Sequence, residues 1–436
     1  MRVTSTKQII IILFIFIYIP FLWDFGYKLL FTSHGDFAGF YWGAKLAFVE
    51  HHSPYAADAF AGVDPINRHE ALPYLYPPPS LLVFYPLTLF RYGVAHALML
   101  MMNHTCILLF IYLFFFKIMR LNLSQPFDSL IAVLSIVYLF TNYPLTRELL
   151  HGQIDLVVLL CLCLTWYAMK QNARSWLVAL PLSVAILIKT YPVLFILLLI
   201  INKKYRAFLW VVGLLLLYTS IAYLVLPHVL WTEWVTNVLP TGGYGQVPYK
   251  LVSPAYTWNQ NINGFVSRIF LKNEFSEALW PNPAIARTLP YLLSLCVVAT
   301  TVGVSYLASR RQDAGRVIDL EFALFLPMVF IVAPLSWEQH LVYMLPSAFK
   351  AFYLLLDNRR NYISKIIVML VLFGLARYIP IESSYLKRGV LTLGISIKLY
   401  AVVILWIYFV LQIHRFARGT QPAAQAQATP ELLHAS

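Results

Sequence analysis

Long apolar blocks separated by short polar turns fill most of the chain. About twelve of them approach the roughly 20 apolar residues that cross a bilayer as a helix. They run near 8–30, 92–117, 127–144, 150–169, 175–188, 190–202, 206–226, 286–309, 321–336, 339–356, 361–379 and 391–413. The fifth and sixth are short and are parted by Lys189-Thr190-Tyr191-Pro192, so they read either as two short spans or as one broken pair. The first block follows Arg2 and Lys7. It ends in Trp23-Asp24-Phe25 rather than a small-residue cleavage site, which predicts an uncleaved first helix. A membrane β-barrel would instead alternate over strands of about ten residues. The expected architecture is an all-α polytopic membrane bundle of about 12 transmembrane helices over 1–416. Extracytoplasmic loops are expected near 31–91 and 227–286, both rich in Pro, Gly, Tyr and Trp, and a disordered cytoplasmic tail over 417–436.

Composition agrees with this pattern. Of 436 residues 60% are hydrophobic and 12% charged, against roughly 25% charged in a soluble domain. Mean hydropathy is +0.71. A soluble enzyme, a secreted domain and a disordered chain are all excluded, because none keeps so thin a charged skin. Net charge is +13, which in a soluble protein would suggest nucleic acid. Here the excess sits in short turns, so anionic lipid is the expected partner and nucleic acid is not.

Those turns set the orientation. With the N-terminus inside, alternate loops carry Arg2/Lys7, Lys117/Arg120, Lys170/Arg174, Lys203/Lys204/Arg206, Arg310/Arg311/Arg316, Arg359/Arg360/Lys365 and Arg415/Arg418. The positive-inside rule then predicts a multi-pass plasma-membrane protein with both termini cytoplasmic and the long loops outside. Cys106, Cys161, Cys163 and Cys296 all lie in apolar blocks and imply neither a disulfide framework nor a metal site. No P-loop, GxGxxG or HExxH occurs, so no cofactor or metal is expected. The lack of an internal repeat weakens a transporter built from inverted halves.

Polar residues near the apolar slab are the informative ones, and they gather at the outer ends of the blocks. His34-Gly35-Asp36 precedes Phe37, Phe40, Tyr41, Ala44 and Phe48 at helical spacing, the pattern of an amphipathic helix at the interface. Asp36 at its start reads as an N-cap, a carboxylate meeting free backbone N–H groups. Pro73, Tyr74 and Tyr76-Pro77-Pro78-Pro79 read as a rigid corner or as an aromatic wall for a sugar. Arg147-Glu148 and His151-Gly152-Gln153-Ile154-Asp155 open a span, where Gln153 and Asp155 serve either interhelical bonding or substrate. Lys189 lies between two apolar runs, as a snorkelling lysine or as a cation for a phosphate. Ser336-Trp337-Glu338-Gln339-His340 forms a very short polar turn. Asn259-Gln260-Asn261-Ile262-Asn263-Gly264, with Arg268 after it, reads as a turn or as a hydroxyl-binding stretch.

The order Gly35-Asp36-Phe37, Tyr41, Ala44, Pro54-Tyr55, Tyr76-Pro77-Pro78, Gly152-Gln153, Ala185 to Pro192 with Lys189, Asn259-Gln260 and Ser336-Trp337…His340 resembles glycosyltransferase family 87 over about 1–415. Two positions depart from that pattern: Asp155, where Asn is usual after Gly-Gln-x, and Asn261, in place of the Ser of Asn-Gln-Ser. The resemblance implies a GT-C-type bundle of the cell envelope that takes mannose, or in some relatives arabinofuranose, from a polyprenyl-phosphate donor. It would deliver the sugar to a lipid or glycan acceptor with inversion. It implies Asp36 as the catalytic base. Lys189, His340 and Arg268 are then candidates for the donor phosphate, with Arg377 a further one. Tyr76, Gln153, Asp155, Asn259, Gln260, Trp337 and Glu338 are candidates for substrate. Two alternatives stay open: a transporter or flippase of lipid-linked sugars, and a lipid-linked polysaccharide polymerase or ligase.

Overall fold

A computed structural model describes residues 6–31, 35–60, 71–310, 314–357 and 362–419. The expected tail from 420 onward, His34, Arg2, Arg311, Arg359 and Arg360 lie outside the described residues. Every regular element among the described residues is helical. That follows from the apolar runs: in hydrocarbon a segment must satisfy its own backbone N–H and C=O groups, and a helix does so internally.

Among the described residues four helices are long and apolar enough to cross a membrane: Tyr92–Ile118, Tyr205–Val225, Pro283–Ser309 and Gly389–Ala417. A fifth is possible if Pro126–Phe140 and Tyr143–Leu150, bent by 47° at their junction, count as one. The bend has a local cause. The Asn142 side chain accepts from Leu145 N at 3.1 Å and caps the second helix, with Pro144 in its first turn. The other apolar blocks give shorter helices, such as Ser175–Ile188, Tyr191–Ile201 and Tyr362–Ala376. By length and composition, four to five of the apolar blocks among the described residues qualify as full-length spans. Between 175 and 201 the reason is explicit, since Lys189 adopts extended backbone (φ −136°, ψ 132°) and divides the run. Leu209, Trp210, Leu216 and Leu224 of Tyr205–Val225, with Leu292 and Leu295 of Pro283–Ser309, point outward as apolar surface suited to lipid.

The helix Ala314–Val332 lies in the middle of the bundle, packed on Asp155–Lys170, Pro283–Ser309 and Ile397–Ala417. Polar groups separate to the two ends of Asp155–Lys170. This helix has 16 residues and so rises about 24 Å. At its far end Lys170 Nζ donates to Asp319 Oδ2 at 2.7 Å and to Ile118 O at 2.6 Å. Lys350 reaches the same carboxylate at 3.3 Å, and Trp166 Nε1 donates to Asp319 Oδ1 at 2.9 Å. Lys204 bonds Asn172 there as well, so the basic turns after 117, 170 and 202 meet at one end. The other end, where Asp155 stands, holds the second polar cluster.

One local expectation changes. The helix Gly35–Lys45 does not lie with one face on lipid, because all of Phe37–Ala44 is buried. Neighbouring segments cover the face that periodicity assigned to water. Phe84 stacks on Phe40 at 4.5 Å, Tyr41 donates to Phe90 O at 2.8 Å, and Tyr92 packs on Phe37 at 5.3 Å.

Candidate active site

A cavity of about 680 Å³ opens at the Asp155 end. Its wall combines the start of Gly35–Lys45, the 72–77 corner, the 151–153 turn, the Lys189 break, the 238–252 loop and the 333–340 turn. Helix ends and loops converge here because alternate breaks between the apolar runs return the chain to this face, the others lying at the Lys170 end.

Asp36 stands in the first turn of its helix, and its side chain is 13% exposed. His151 Nδ1 lies 3.5 Å from Asp36 Oδ2, and His151 O accepts from Phe37 N at 3.2 Å. That contact depends on Gly152, whose φ of +62° is left-handed. A Cβ at Gly152 would also stand 2.7 Å from Phe37 Cβ. The sequence motif Gly152-Gln153 thus fits the turn against the helix that carries Asp36. Burial pushes the Asp36 carboxyl up to about 6. A hydrogen bond from Gln153 and the charges of Lys189 and Arg147 oppose that rise, while Asp155 adds to it. A base at Asp36 must stay ionised, which calls for a polar, water-accessible cavity; the carboxyl is largely enclosed here, yet it still ionises at neutral pH.

Lys189 is the hub of the floor. Its ammonium meets Asp155 Oδ1 at 2.5 Å, His340 Nε2 at 3.2 Å and Gln153 Oε1 at 3.3 Å. Asp155 is held in turn by the Tyr343 hydroxyl at 2.5 Å, by Tyr191 at 3.2 Å, and by its own backbone N–H on Glu148 Oε1 at 2.8 Å. Gln153 is fixed from behind by Asn103 Nδ2, which donates to its carbonyl at 2.8 Å. The Gln153 carboxamide therefore joins Lys189 at its oxygen end to Asp36 at its nitrogen end.

The amide-rich stretch behaves differently. Asn259 Oδ1 accepts from Ser336 N, and Gln260 Nε2 donates to Ile395 O at 2.8 Å. Asn261 caps the helix Ile262–Phe270 and donates to Ala333 O at 2.6 Å. Arg268 is buried, with Nη1 on Tyr256 O and Asn259 O and Nη2 on Ser396 Oγ at 2.8 Å. Burial lowers its pKa to about 9. Glu338 faces Lys398 at 3.4 Å, and Lys398 also donates to the carbonyls of Gly374, Leu375 and Arg377.

The model of glycosyltransferase family 87 matches residues 74–334, more than half of the chain. The chain belongs to glycosyltransferase family 87. A polyprenol-phosphate-mannose-dependent alpha-(1-2)-phosphatidylinositol mannoside mannosyltransferase of Mycobacterium tuberculosis is 24% identical over 239 residues, 55% of this chain and 50% of that protein. The chain thus spans about half the length of this curated relative. No solved structure matches.

Asp36, Trp337 and His340 lie outside the residues matched by the family-87 model, yet the fold brings them to the same cavity as Tyr76, Gln153 and Lys189 inside it. Those six candidates line the wall. Asp155, Asn259, Gln260, Arg268 and Glu338 do not: Asp155 sits one layer beneath Lys189, and the other four pin loops together. Arg377 is turned away too, its guanidinium over the Phe373 ring. The departures from the family pattern have local accounts. Asp155 supplies the charge that neutralises Lys189, and Asn261 keeps the N-cap role that Ser also fills. His151, Tyr191 and Gln339, which the sequence places in polar segments without a role, also stand on the wall, and sequence reasoning passed over Trp258 there and Tyr343 beneath it. The signal for Tyr191 and Tyr343 was a hydroxyl in an otherwise apolar run.

Proposed function

We propose that the protein transfers a hexose, mannose by analogy with its relative's donor, from a polyprenyl phosphate to a hydroxyl of a lipid or glycan acceptor. One observation carries the reading: Asp36, Lys189 and His340 share one cavity. The carboxylate of Asp36 takes the proton of the acceptor hydroxyl while its oxygen bonds the anomeric carbon. The bond from that carbon to the phosphate oxygen breaks, and its electron pair leaves with the polyprenyl phosphate. Attack from the face opposite the leaving group inverts the anomeric centre, through an oxocarbenium-like transition state. A phosphodiester becomes a monoester, so negative charge grows at the phosphate and a nearby cation lowers the barrier. Lys189 is the cation for that task. The apolar part of the wall, including Leu75, Leu239, Val252 and Leu335, suits the polyprenyl chain.

The cavity and the basic turns lie at opposite ends of Asp155–Lys170. Under the positive-inside rule this supports an extracytoplasmic site. A transporter would want charged groups at mid-depth. Val158, Leu159 and Leu162 in the middle of that helix are buried among apolar neighbours, which favours the enzyme. Arginine-based ligase chemistry is disfavoured by the burial of Arg268 away from the cavity. The test is incubation of the purified protein in lipid with labelled polyprenyl-phosphate-mannose and a panel of acceptors, with products weighed by mass spectrometry. Absence of any transferred sugar from every hexosyl donor refutes the reading.

A further inference from the structure

Asp36 has a different neighbour on each side. On one, the Gln153 carboxamide links it to Lys189, the cation assigned to the donor phosphate. On the other, His151 Nδ1 lies 3.5 Å from Asp36 Oδ2, and the His151 ring meets Trp258 edge-on at 6.1 Å. The aromatic surface continues from Trp258 to Tyr256 at 5.8 Å, and from Tyr256 to Trp337 at 5.4 Å. All four rings line the cavity and are only half-buried. The Arg147 guanidinium, outside the cavity lining, covers one face of the Trp258 indole at 4.1 Å and leaves the other face and the edge for the cavity. Trp166, Trp234 and Trp406 each give their indole N–H to the protein. Trp258 and Trp337 give theirs to nothing among the described residues, though an indole N–H inside a protein usually finds an acceptor.

We propose that Trp258 is the acceptor platform: a sugar ring of the acceptor stacks on the indole and brings one of its hydroxyls to Asp36. The inference deepens the proposed function and rests on it. In-line attack puts the acceptor oxygen and the departing phosphate on opposite faces of the anomeric carbon, with the base on the acceptor's side. Lys189 claims the phosphate side, so the body of the acceptor extends over His151 and Trp258. A sugar ring suits this surface, because its C–H face packs on an aromatic ring while its oxygens accept from an N–H at the ring edge. An acyl chain has no use for such donors, and a compact polar alcohol leaves the rings uncovered. The acceptor is therefore a molecule that already carries a sugar, and the hydroxyl used belongs to that sugar.

The experiment gives the full-length protein in lipid polyprenyl-phosphate-mannose and either octyl glycosides or open-chain octyl alcohols as acceptors. The wild type should prefer a glycoside by roughly tenfold or more in kcat/KM. Trp258→Leu should raise the KM for that glycoside roughly three- to tenfold, with kcat and the donor KM near wild type and the alcohols unaffected. Trp258→Phe keeps an aromatic face and retains most of the preference. The methyl glycoside of the preferred sugar should inhibit the unaltered protein in competition with the acceptor and not with the donor, which serves as the test if the leucine variant does not fold. Equal losses on glycosides and alcohols overturn the platform, as does a raised donor KM with an unchanged acceptor KM, or a leucine variant that behaves as wild type. A wild type that uses the alcohols but not the glycosides overturns it and leaves the transferase reading standing. A wild type inactive with every hexosyl donor refutes the proposed function and the platform with it.

Discussion

Lys189 and Asp155 meet at 2.5 Å beneath the cavity, both almost wholly buried. With His340 and Gln153 also bound, all three donors of the ammonium are engaged inside the protein. Its longest bond goes to Gln153, so in the proposed reading an arriving phosphate displaces that carboxamide. Removing one member of such a pair leaves a buried charge uncompensated, at a cost of about 3–5 kcal/mol. Lys189→Met should therefore lower thermal stability in detergent by that order and abolish transfer. Adding Asp155→Asn to it should recover much of the stability and none of the activity. Lys189→Met with unaltered melting would show that the pair contributes little.

Asp36→Asn keeps the size of the side chain and removes the proposed base. Transfer should fall about 10²–10⁴-fold, the range typical for general-base catalysis, while donor binding in a filter or fluorescence assay persists. Normal turnover in this variant would remove Asp36 from the chemistry.

The pH profile reports the same group. In the proposed reading Asp36 acts as its carboxylate, and burial holds that group at about 6, so kcat/KM should rise as pH increases through 6 and level off above it. Gln153 stabilises the charged form by donating to it. Gln153→Leu takes that support away, raises the carboxyl pKa and moves the rising limb to higher pH. A limb that stays in place, or moves to lower pH, contradicts the assignment.

Gly152→Ala combines two penalties, a left-handed backbone costing about 1–2 kcal/mol for other residues and a Cβ 2.7 Å from Phe37. The turn and the helix bearing Asp36 must separate. Loss of activity well beyond the loss of stability, read from kcat and melting on the same preparation, is the expected result. Wild-type activity would mean that the Asp36 helix tolerates displacement.

Much of the site is legible in the chain itself. Asp36, Lys189 and His340 are polar residues where apolar runs break, and breaks at one face must lie near one another. Depth within the wall is not legible. Asn259, Gln260 and Arg268 carry donors equally suited to a sugar hydroxyl and to a backbone carbonyl, and only the fold decides that they bind Pro254, Ile395 and Tyr256. Helix length is illegible for a related reason. Hydropathy registers Ser175–Ile188 and Tyr191–Ile201 as two runs, but not that a buried lysine with its own counter-ion lies between them.

The modest length of Asp155–Lys170 has a consequence for where the reaction runs. Its rise of about 24 Å falls short of a hydrocarbon slab of about 30 Å, so its two charged ends cannot both reach bulk solvent. Each accordingly brings its own counter-charge, Lys189 at one end and Asp319 at the other. In the proposed reading, chemistry proceeds below the head-group plane: a lipid-borne donor arrives already at working depth, whereas a water-soluble acceptor has to descend to meet it. Membrane thickness then becomes a control on turnover, with thicker bilayers favouring glycolipid acceptors over soluble ones.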